Sequence, residues 1–290
     1  MLQLRVQTNA QAAEHLEDLL FSCGAVSVSY EDAADEPILE PSLGDHPLWS
    51  NIFLQAHFIH QEQIQLATKA LENDPSISNQ IILEQINDQG WQESFQQRFS
   101  AMQFGRLWIY PSWQDNPAPD GLSLQLDPGL AFGTGHHPTT SLCLQWLSNA
   151  TLNDLTLTDF GCGSGILALA ALRLGAQHVY AVDIDPQALI ATRENIACNN
   201  LPLEDFTIGK AECLADSHSD IIIANILAAP LLELRSLFLE YLKPKGILVV
   251  SGILNTQVES IKTAYADGFQ HLETTTEQDW ACLCFQRRSP

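Results

Sequence analysis

The residues best suited to chemistry gather in the second half of the chain. DFGCGSG, Asp159 to Gly165, sets Gly161, Gly163 and Gly165 between a strand pattern and a helix pattern. Residues without a Cβ let backbone pass close to a ligand and take positive φ. Asp183 ends the next strand 22 residues after Gly161. That is close to the offset of about 20 residues at which an acid meets ribose hydroxyls. Asp185-Pro186 reads differently, as a helix N-cap followed by proline at the first helical position. The spacing is GxGxG, not the GxGxxG of a dinucleotide site, whose helix N-terminus points at a pyrophosphate. With acidic Asp159 beside it, the tighter turn suits a ligand carrying a ribose and a cationic amino-acid part.

Two further segments stand out. LDPGLAFGTGHHPTT (Leu126 to Thr140) combines Gly129, Gly133 and Gly135 with Pro138, which opens a helix bearing Thr139 and Thr140. Ordinary hydroxyl capping is the plainer explanation of those threonines. His136-His137 has no matched third ligand, so no metal is expected. In IANILAAPLLEL (Ile223 to Leu234), Asn225 ends a strand at a position facing a substrate; a satisfied core asparagine is the alternative.

Elements that would position these residues follow from periodicity. Strand patterns cover Leu155–Phe160, His178–Asp183, Phe206–Ile208, Asp220–Asn225, Gly246–Ser251, Gln270–Thr274 and Ala281–Gln286. Helical patterns cover 138–149, 164–174, 186–198, 229–241 and 255–266. Such alternation predicts a parallel sheet covered on both faces, with ligands at the carboxyl ends of its strands. The short connection between the last two strands predicts an antiparallel pair. Near the N-terminus, alternating runs at 2–7, 25–30, 52–58 and 81–86 and helical patterns at 10–22 and 64–71 give the order βαββαβ. That order is expected of a ferredoxin-like α+β domain. It holds no cluster of catalytic residue types, so recognition or scaffolding is its expected role. Between the two regions, Trp91, Phe95, Phe99, Trp108, Tyr110 and Trp113 read as packing one domain onto the next. The expected domains are therefore 1–90 for recognition, 91–118 as linker and interdomain segment, and 119–290 for chemistry.

Composition narrows the setting. Of 290 residues, 46% are hydrophobic and 17% charged, enough apolar material for ordinary packed cores and not the balance of a disordered chain. The longest apolar runs fall short of the roughly 20 residues of a membrane span. The N-terminus has no secretory pattern, and the seven cysteines show no paired CxxC units. A cytoplasmic, monomeric protein is expected. Thirteen basic against 35 acidic residues leave a net charge of −22, and the first 90 residues alone carry −12. That surface repels phosphate, so direct nucleic-acid binding is not expected. A solubilising acidic surface is the plainer explanation of the charge; a basic partner is the sharper one.

Taken together, DFGCGSG and Asp183 resemble a class I S-adenosylmethionine-dependent methyltransferase over residues 138 to 290. The resemblance sharpens with AFGTGxHPTT, where His136 fills the variable position, and with NILA at Asn225 to Ala228. Those motifs, FGRLWIYPSW (Phe104 to Trp113) and the acidic N-terminal region resemble the PrmA family, the ribosomal protein L-eleven methyltransferases, over essentially the whole chain. Two departures are Ala229, where the family often has Gly, and Thr158, where an apolar strand residue is usual and packing is expected to soften. The resemblance implies a Rossmann-like seven-stranded methyltransferase sheet with a smaller N-terminal domain. It implies cofactor contacts at Thr140, Gly161, Asp183 and Asn225, with Asp159 and Gly163 in the same turn. It also implies methylation of lysine ε-amines and the N-terminal α-amine of free ribosomal protein L-eleven. Asn225 is expected to orient the acceptor amine, and Phe132 to serve in a lid that excludes water. The rivals are a nicotinamide oxidoreductase, lacking its GxGxxG here, an RNA methyltransferase, disfavoured by the charge, and a small-molecule methyltransferase. A cofactor-binding assembly factor is the alternative from outside enzymology.

Overall fold

Alternation of period two in LQLRVQTN forms β1 (Leu2–Asn9), with Leu4, Val6 and Thr8 turned inward. The computed structural model describes residues 2–34, 48–72, 74, 77, 81–85, 100–127, 135–215 and 217–289. The chain divides into two units, Met1–Phe95 and Gln96–Pro290.

In the first unit, Asn9 caps α1 (Ala10–Ser22), accepting hydrogen bonds from the Gln11 and Ala12 amides. Helix α1 buries Ala13, Leu16 and Leu20, one stripe at helical spacing. Gly24, at φ +95°, ends it, donating to the Phe21 carbonyl while Ala25 donates to Leu20. Strand β2 (Ser27–Asp32) starts two residues later than the sequence pattern predicts: Ala25 still closes the helix end, donating to Leu20, and Val26 donates to the His57 carbonyl just ahead of the regular ladder. Strand β3 (Asn51–Phe58), α2 (Gln61–Leu71) and β4 (Ile82–Gln85) follow. The sheet runs β2-β3-β1-β4 with every neighbour antiparallel. Its core brings Leu4, Leu54 and Phe58 against Leu16, Leu20 and Ile64.

The second unit begins inside the expected linker. Strands β5 (Met102–Phe104), β6 (Leu107–Tyr110) and β7 (Leu122–Gln125) form a small sheet of their own. Phe104, Leu107, Ile109 and Leu124 join the same buried cluster as Leu142 and Leu144 further along the chain. Residues 100–118 thus contribute two strands to this unit's packing, because their inward positions are apolar.

The main sheet comprises β8 (Thr156–Phe160), β9 (His178–Val182), β10 (Phe206–Gly209), β11 (Ser219–Asn225), β12 (Leu242–Leu254), β13 (Phe269–Glu277) and β14 (Trp280–Arg287). Its order is β10-β9-β8-β11-β12-β14-β13. The first five are parallel, while β14 is antiparallel to both β12 and β13. This is the Rossmann-like sheet expected, with its antiparallel final pair. Helices α3 (Pro138–Asn149), α4 (Ile166–Arg173), α5 (Pro186–Cys198), α6 (Ala228–Tyr241) and α7 (Val258–Tyr265) supply the other layers. Strand β11 is buried on both faces: Ile221 and Ile223 enter one core, Ile222 and Ala224 the other. That explains its continuous apolar run, the signature of a covered parallel strand. Strand order reverses between β8 and β11, and the crevice at such a switch point is where these sheets take ligands.

Thr158, expected to soften the packing of β8, is fully buried, and its Oγ1 lies 2.7 Å from Ser219 Oγ. The hydroxyl is satisfied across the β8–β11 pair, so the polar atom costs little. Among the described residues no helix is long and apolar enough to cross a membrane.

Phe160, the last residue of β8, meets Phe238 of α6 edge to face at 5.3 Å. Phe238 is fully buried. Phe238→Ala should cost about 3–5 kcal/mol in urea unfolding, by lost contacts plus the cavity left behind. A cost below about 1 kcal/mol would show that α6 does not depend on this contact.

Candidate functional site

The turn after β8 has all three glycines in the left-handed region: Gly161 at +79°, Gly163 at +54° and Gly165 at +78°. The Gly161 and Cys162 amides donate to the Val182 carbonyl at 2.7 and 3.0 Å, which ties the turn to the end of β9. Space is as restrictive as φ. A Cβ on Gly161 would stand 2.5 Å from Ile226 Cγ2, and one on Gly165 would stand 2.8 Å from Thr192 Cγ2.

Ile226 is gripped from a second side. Gly252, near the end of β12, has φ +84°, and a Cβ there would lie 2.3 Å from the Ile226 carbonyl oxygen. The segment after β11 therefore threads between two glycines, and Asn225 is held at the mouth of the switch-point crevice. Gly252 and Ile226 were not singled out by sequence reasoning. The available signal was a glycine inside an apolar strand, VVSGIL, which marks close approach of another backbone.

Asp183, expected to meet ribose hydroxyls, is tied into the glycine turn. Its Oδ2 accepts the Gly163 amide at 2.9 Å and its Oδ1 accepts the Asp185 amide at 2.9 Å. The carboxylate thus braces the glycine turn, while its remaining lone pairs stay available to hydroxyl donors. Asp185 caps α5 through the Gln187 amide at 2.9 Å with Pro186 following, as the sequence predicts.

Asp159 is 1% exposed. Its Oδ2 accepts the Ala168 amide at 3.0 Å, while its buried Oδ1 has no hydrogen-bond partner among the described residues. Burial, with a smaller push from the Asp183 charge, raises its acid to about 7, against the opposing pull of the Ala168 hydrogen bond.

Asn225 donates from Nδ2 to Thr140 Oγ1 at 3.1 Å, and its Oδ1 is likewise buried with no partner among the described residues. An orphaned buried polar atom costs about 1–3 kcal/mol. Two such oxygens, Asp159 Oδ1 and Asn225 Oδ1, stand at the carboxyl ends of the paired strands β8 and β11. A ligand with donors would repay both.

Thr140 is fully buried on the first turn of α3. His137 caps that helix, its Nδ1 2.8 Å from Thr139 Oγ1, and its ring meets Trp280 edge-on at 5.1 Å. Burial lowers its pKa, which favours the neutral ring that a cap acceptor needs. Among the described residues no group of three or more His, Cys, Asp or Glu is placed to hold a metal ion. Phe132, with Gly129 and Gly133, lies outside the described residues. A separate groove lined by Trp146, Ala150, Asp220, Lys243 and Gly246 opens at the amino ends of β11 and β12, away from this site. Two of its charged members pair with each other, Lys243 Nζ with Asp220 Oδ2 at 2.8 Å, and Lys245 lines it as well.

The glycine turn, the bracing acid, the buried acid and the strand-end asparagine thus occupy one crevice. A family model described as ribosomal protein L11 methyltransferase (PrmA) matches residues 1–288. The chain belongs to this family. A relative of that name from Photorhabdus laumondii is 46% identical over 283 residues, covering 96% of this chain and 95% of the relative. Another from Pseudomonas aeruginosa is 44% identical over 291 residues, covering 99% of each. A solved ribosomal protein L11 methylase from Lactobacillus delbrueckii subsp. bulgaricus is 36% identical. It aligns with a TM-score of 0.60 over 66% of this chain and 100% of that one.

The raised acid of Asp159 has a consequence for stability. The folded state holds this proton more tightly than the unfolded chain, whose acid keeps its ordinary value of 3.8. Its contribution is therefore complete below about pH 4 and is lost as pH rises to about 7. In urea unfolding of ligand-free protein, Asp159→Asn should lose less stability than the native chain across that window. Parallel pH profiles would show that the carboxyl titrates normally.

Proposed function

We propose that the chain transfers methyl groups from S-adenosylmethionine to lysine ε-amines and the N-terminal α-amine of ribosomal protein L11. The observation that carries this reading is the Oδ1 of Asn225, buried at the end of β11 with no hydrogen-bond partner among the described residues, next to a segment packed on the left-handed glycine turn. The donor set suits that cofactor: Asp183 offers negative charge to a cationic ligand, Asp159 adds a buried carboxyl whose acid is raised to about 7, and the glycine turn leaves room for close approach. Thr140, Asp159, Gly161, Gly163, Asp183 and Asn225 would hold it. When bound, S-adenosylmethionine supplies a methyl group already activated on a sulfonium centre.

The residues then have a limited task. An acceptor lysine must be neutral, against an unperturbed pKa of about 10.4. Desolvation in a closed crevice lowers that pKa. Asn225 Oδ1 accepts an N–H of the neutral amine and so aims its lone pair. A carboxylate in its place would stabilise the unreactive ammonium. Positioning of this kind can account for several kcal/mol of a barrier.

The acidic N-terminal domain, residues 1–90, is assigned to recognition of a basic protein substrate. We place the chain in the cytoplasm as a monomer acting on unassembled L11, with no direct nucleic-acid contact.

The test is methyl incorporation into free L11 from labelled S-adenosylmethionine. Asn225→Ala should lower kcat about ten- to a hundredfold with a smaller change in KM for the protein, because orientation matters chiefly in the transition state. Intact kcat with a raised KM would make Asn225 a binding residue and remove the proposed role. Recognition has its own check in stopped-flow association of full-length enzyme with L11. Raising salt should slow association far more than it speeds dissociation, since steering between exposed charges is screened over about 8–10 Å. A salt-independent on-rate would rule out charge steering by the acidic domain.

A further inference from the structure

Strand β13 is the outer edge of the main sheet, and the free side of its backbone pairs with no strand among the described residues. Such an edge is a template for a further strand, and folded proteins commonly blunt it with lysine, proline or a bulge. The bulge of β13 comes early, between His271 and Glu273. The run that follows, ETTTE at residues 273–277, holds neither lysine nor proline and is rich in strand-forming threonine. We propose that this edge takes up a basic, extended segment of the protein substrate as an added strand. The proposal rests on the protein-methyltransferase reading. It adds a contact on the second unit to the recognition assigned to the acidic N-terminal domain.

Charge selects the occupant. Glu273, Thr275 and Glu277 share one face of the strand by alternation. Glu273 and Thr275 line a groove of about 300 Å³ together with Leu142, Gln145 and Trp146 of α3. Glu273 forms no ion pair among the described residues. Glu277 meets neutral donors, Ser141 Oγ at 2.9 Å and Gln145 Nε2 at 3.4 Å. Alternate side chains of an added strand would stand beside these carboxylates and over the groove, which suits cations on aliphatic stems. A second copy of the same edge fits poorly, because the antiparallel register centred on Thr275 sets Glu273 against Glu277. Topology then ties the edge to the chemistry. Strands β12 and β13 both run antiparallel to β14, so β13 runs parallel to β8 and β11, and its carboxyl end lies on the crevice side. Four strand spacings separate an added strand from β11, about 19 Å. Extended chain covers that distance in about six residues. Paired antiparallel to β13, the more stable arrangement, the segment would have its amino-terminal side at the crevice. The acceptor amine should therefore lie about six or more residues ahead of the basic segment.

The test uses full-length protein and a synthetic peptide: a single lysine, a glycine-serine spacer, then a short segment of alternating arginine and valine. Binding is read without turnover, by calorimetry and by backbone amide exchange. The peptide should slow exchange at residues 273–277. Methylating the backbone nitrogens of alternate residues in the segment should weaken binding at least about tenfold for one set and less than about threefold for the other, because only every second residue bonds to the edge. Glu273→Arg should weaken binding about three- to tenfold. The same change should leave S-adenosylmethionine affinity unaltered, along with methylation of a short lysine peptide that lacks the segment. With S-adenosylmethionine present, a spacer of about eight residues should support methylation at least about tenfold faster than one of about three, since a linker that cannot span the sites gives no local concentration.

Several results would each overturn strand addition: no binding of the peptide, equal effects of the two methylated sets, protection confined to other parts of the chain, native affinity in Glu273→Arg, or equal, measurable methylation through the short and long spacers. Failure to methylate free L11 or any lysine, with the peptide still bound at β13, would instead overturn the protein-methyltransferase reading. The two failures are thus distinguishable.

Discussion

Ile226 packs where two other strands would normally leave no room. On one side stands Gly161 of the turn after β8, on the other Gly252 of β12, and a Cβ at either would fall within 2.5 Å of Ile226 atoms. Real Cβ contacts do not come that close, so all three segments keep their places only while both positions stay glycine. The left-handed φ of each glycine adds a second reason. Strand β11 ends one residue earlier, at Asn225. The location of the candidate acceptor-orienting group is thus a consequence of backbone crowding at the sheet's switch point.

Charge in the crevice is distributed unevenly. Asp183 and Asp159 supply negative charge or its potential near the glycine turn, and Asp183 is tied into it through the Gly163 amide. The residue at the end of β11 is neutral. A cationic ligand and a neutral nucleophile require different surroundings, and the crevice provides both within a few residues of adjoining strands. Asp159 shows what this arrangement costs the fold: a buried carboxyl with one oxygen unpartnered among the described residues and an acid raised to about 7. The unpartnered Asn225 oxygen is a second cost of the same kind. Such unpaid polar burial is expected where a ligand completes the structure.

Much of this was legible beforehand. Periodicity located all seven strands of the main sheet, because a strand buried on both faces reads as an unbroken apolar run, as Ile221 to Ala224 does. The glycine turn and Asp183 were visible because their chemistry is local: a short loop between a strand and a helix, and an acid at the next strand's end. Capping at Asp185 was equally local, as was the antiparallel final pair.

What the sequence by itself determined, then, is everything set by neighbours along the chain: strand and helix type, turn chemistry, caps and the acidic surface. The tertiary structure decided the rest, because the deciding partners are remote. Gly252 is constrained by Ile226 only across two strands, and Thr158 is satisfied by Ser219, 61 residues away. Residues 100–118 look like a connector by composition, yet their inward apolar positions find Leu142 and Leu144 only in the folded chain. Asn225 meets Thr140, 85 residues earlier, only across the fold. No local pattern carries such pairings, since a polar side chain at a strand end can be satisfied by any donor or acceptor that the folded chain brings to it.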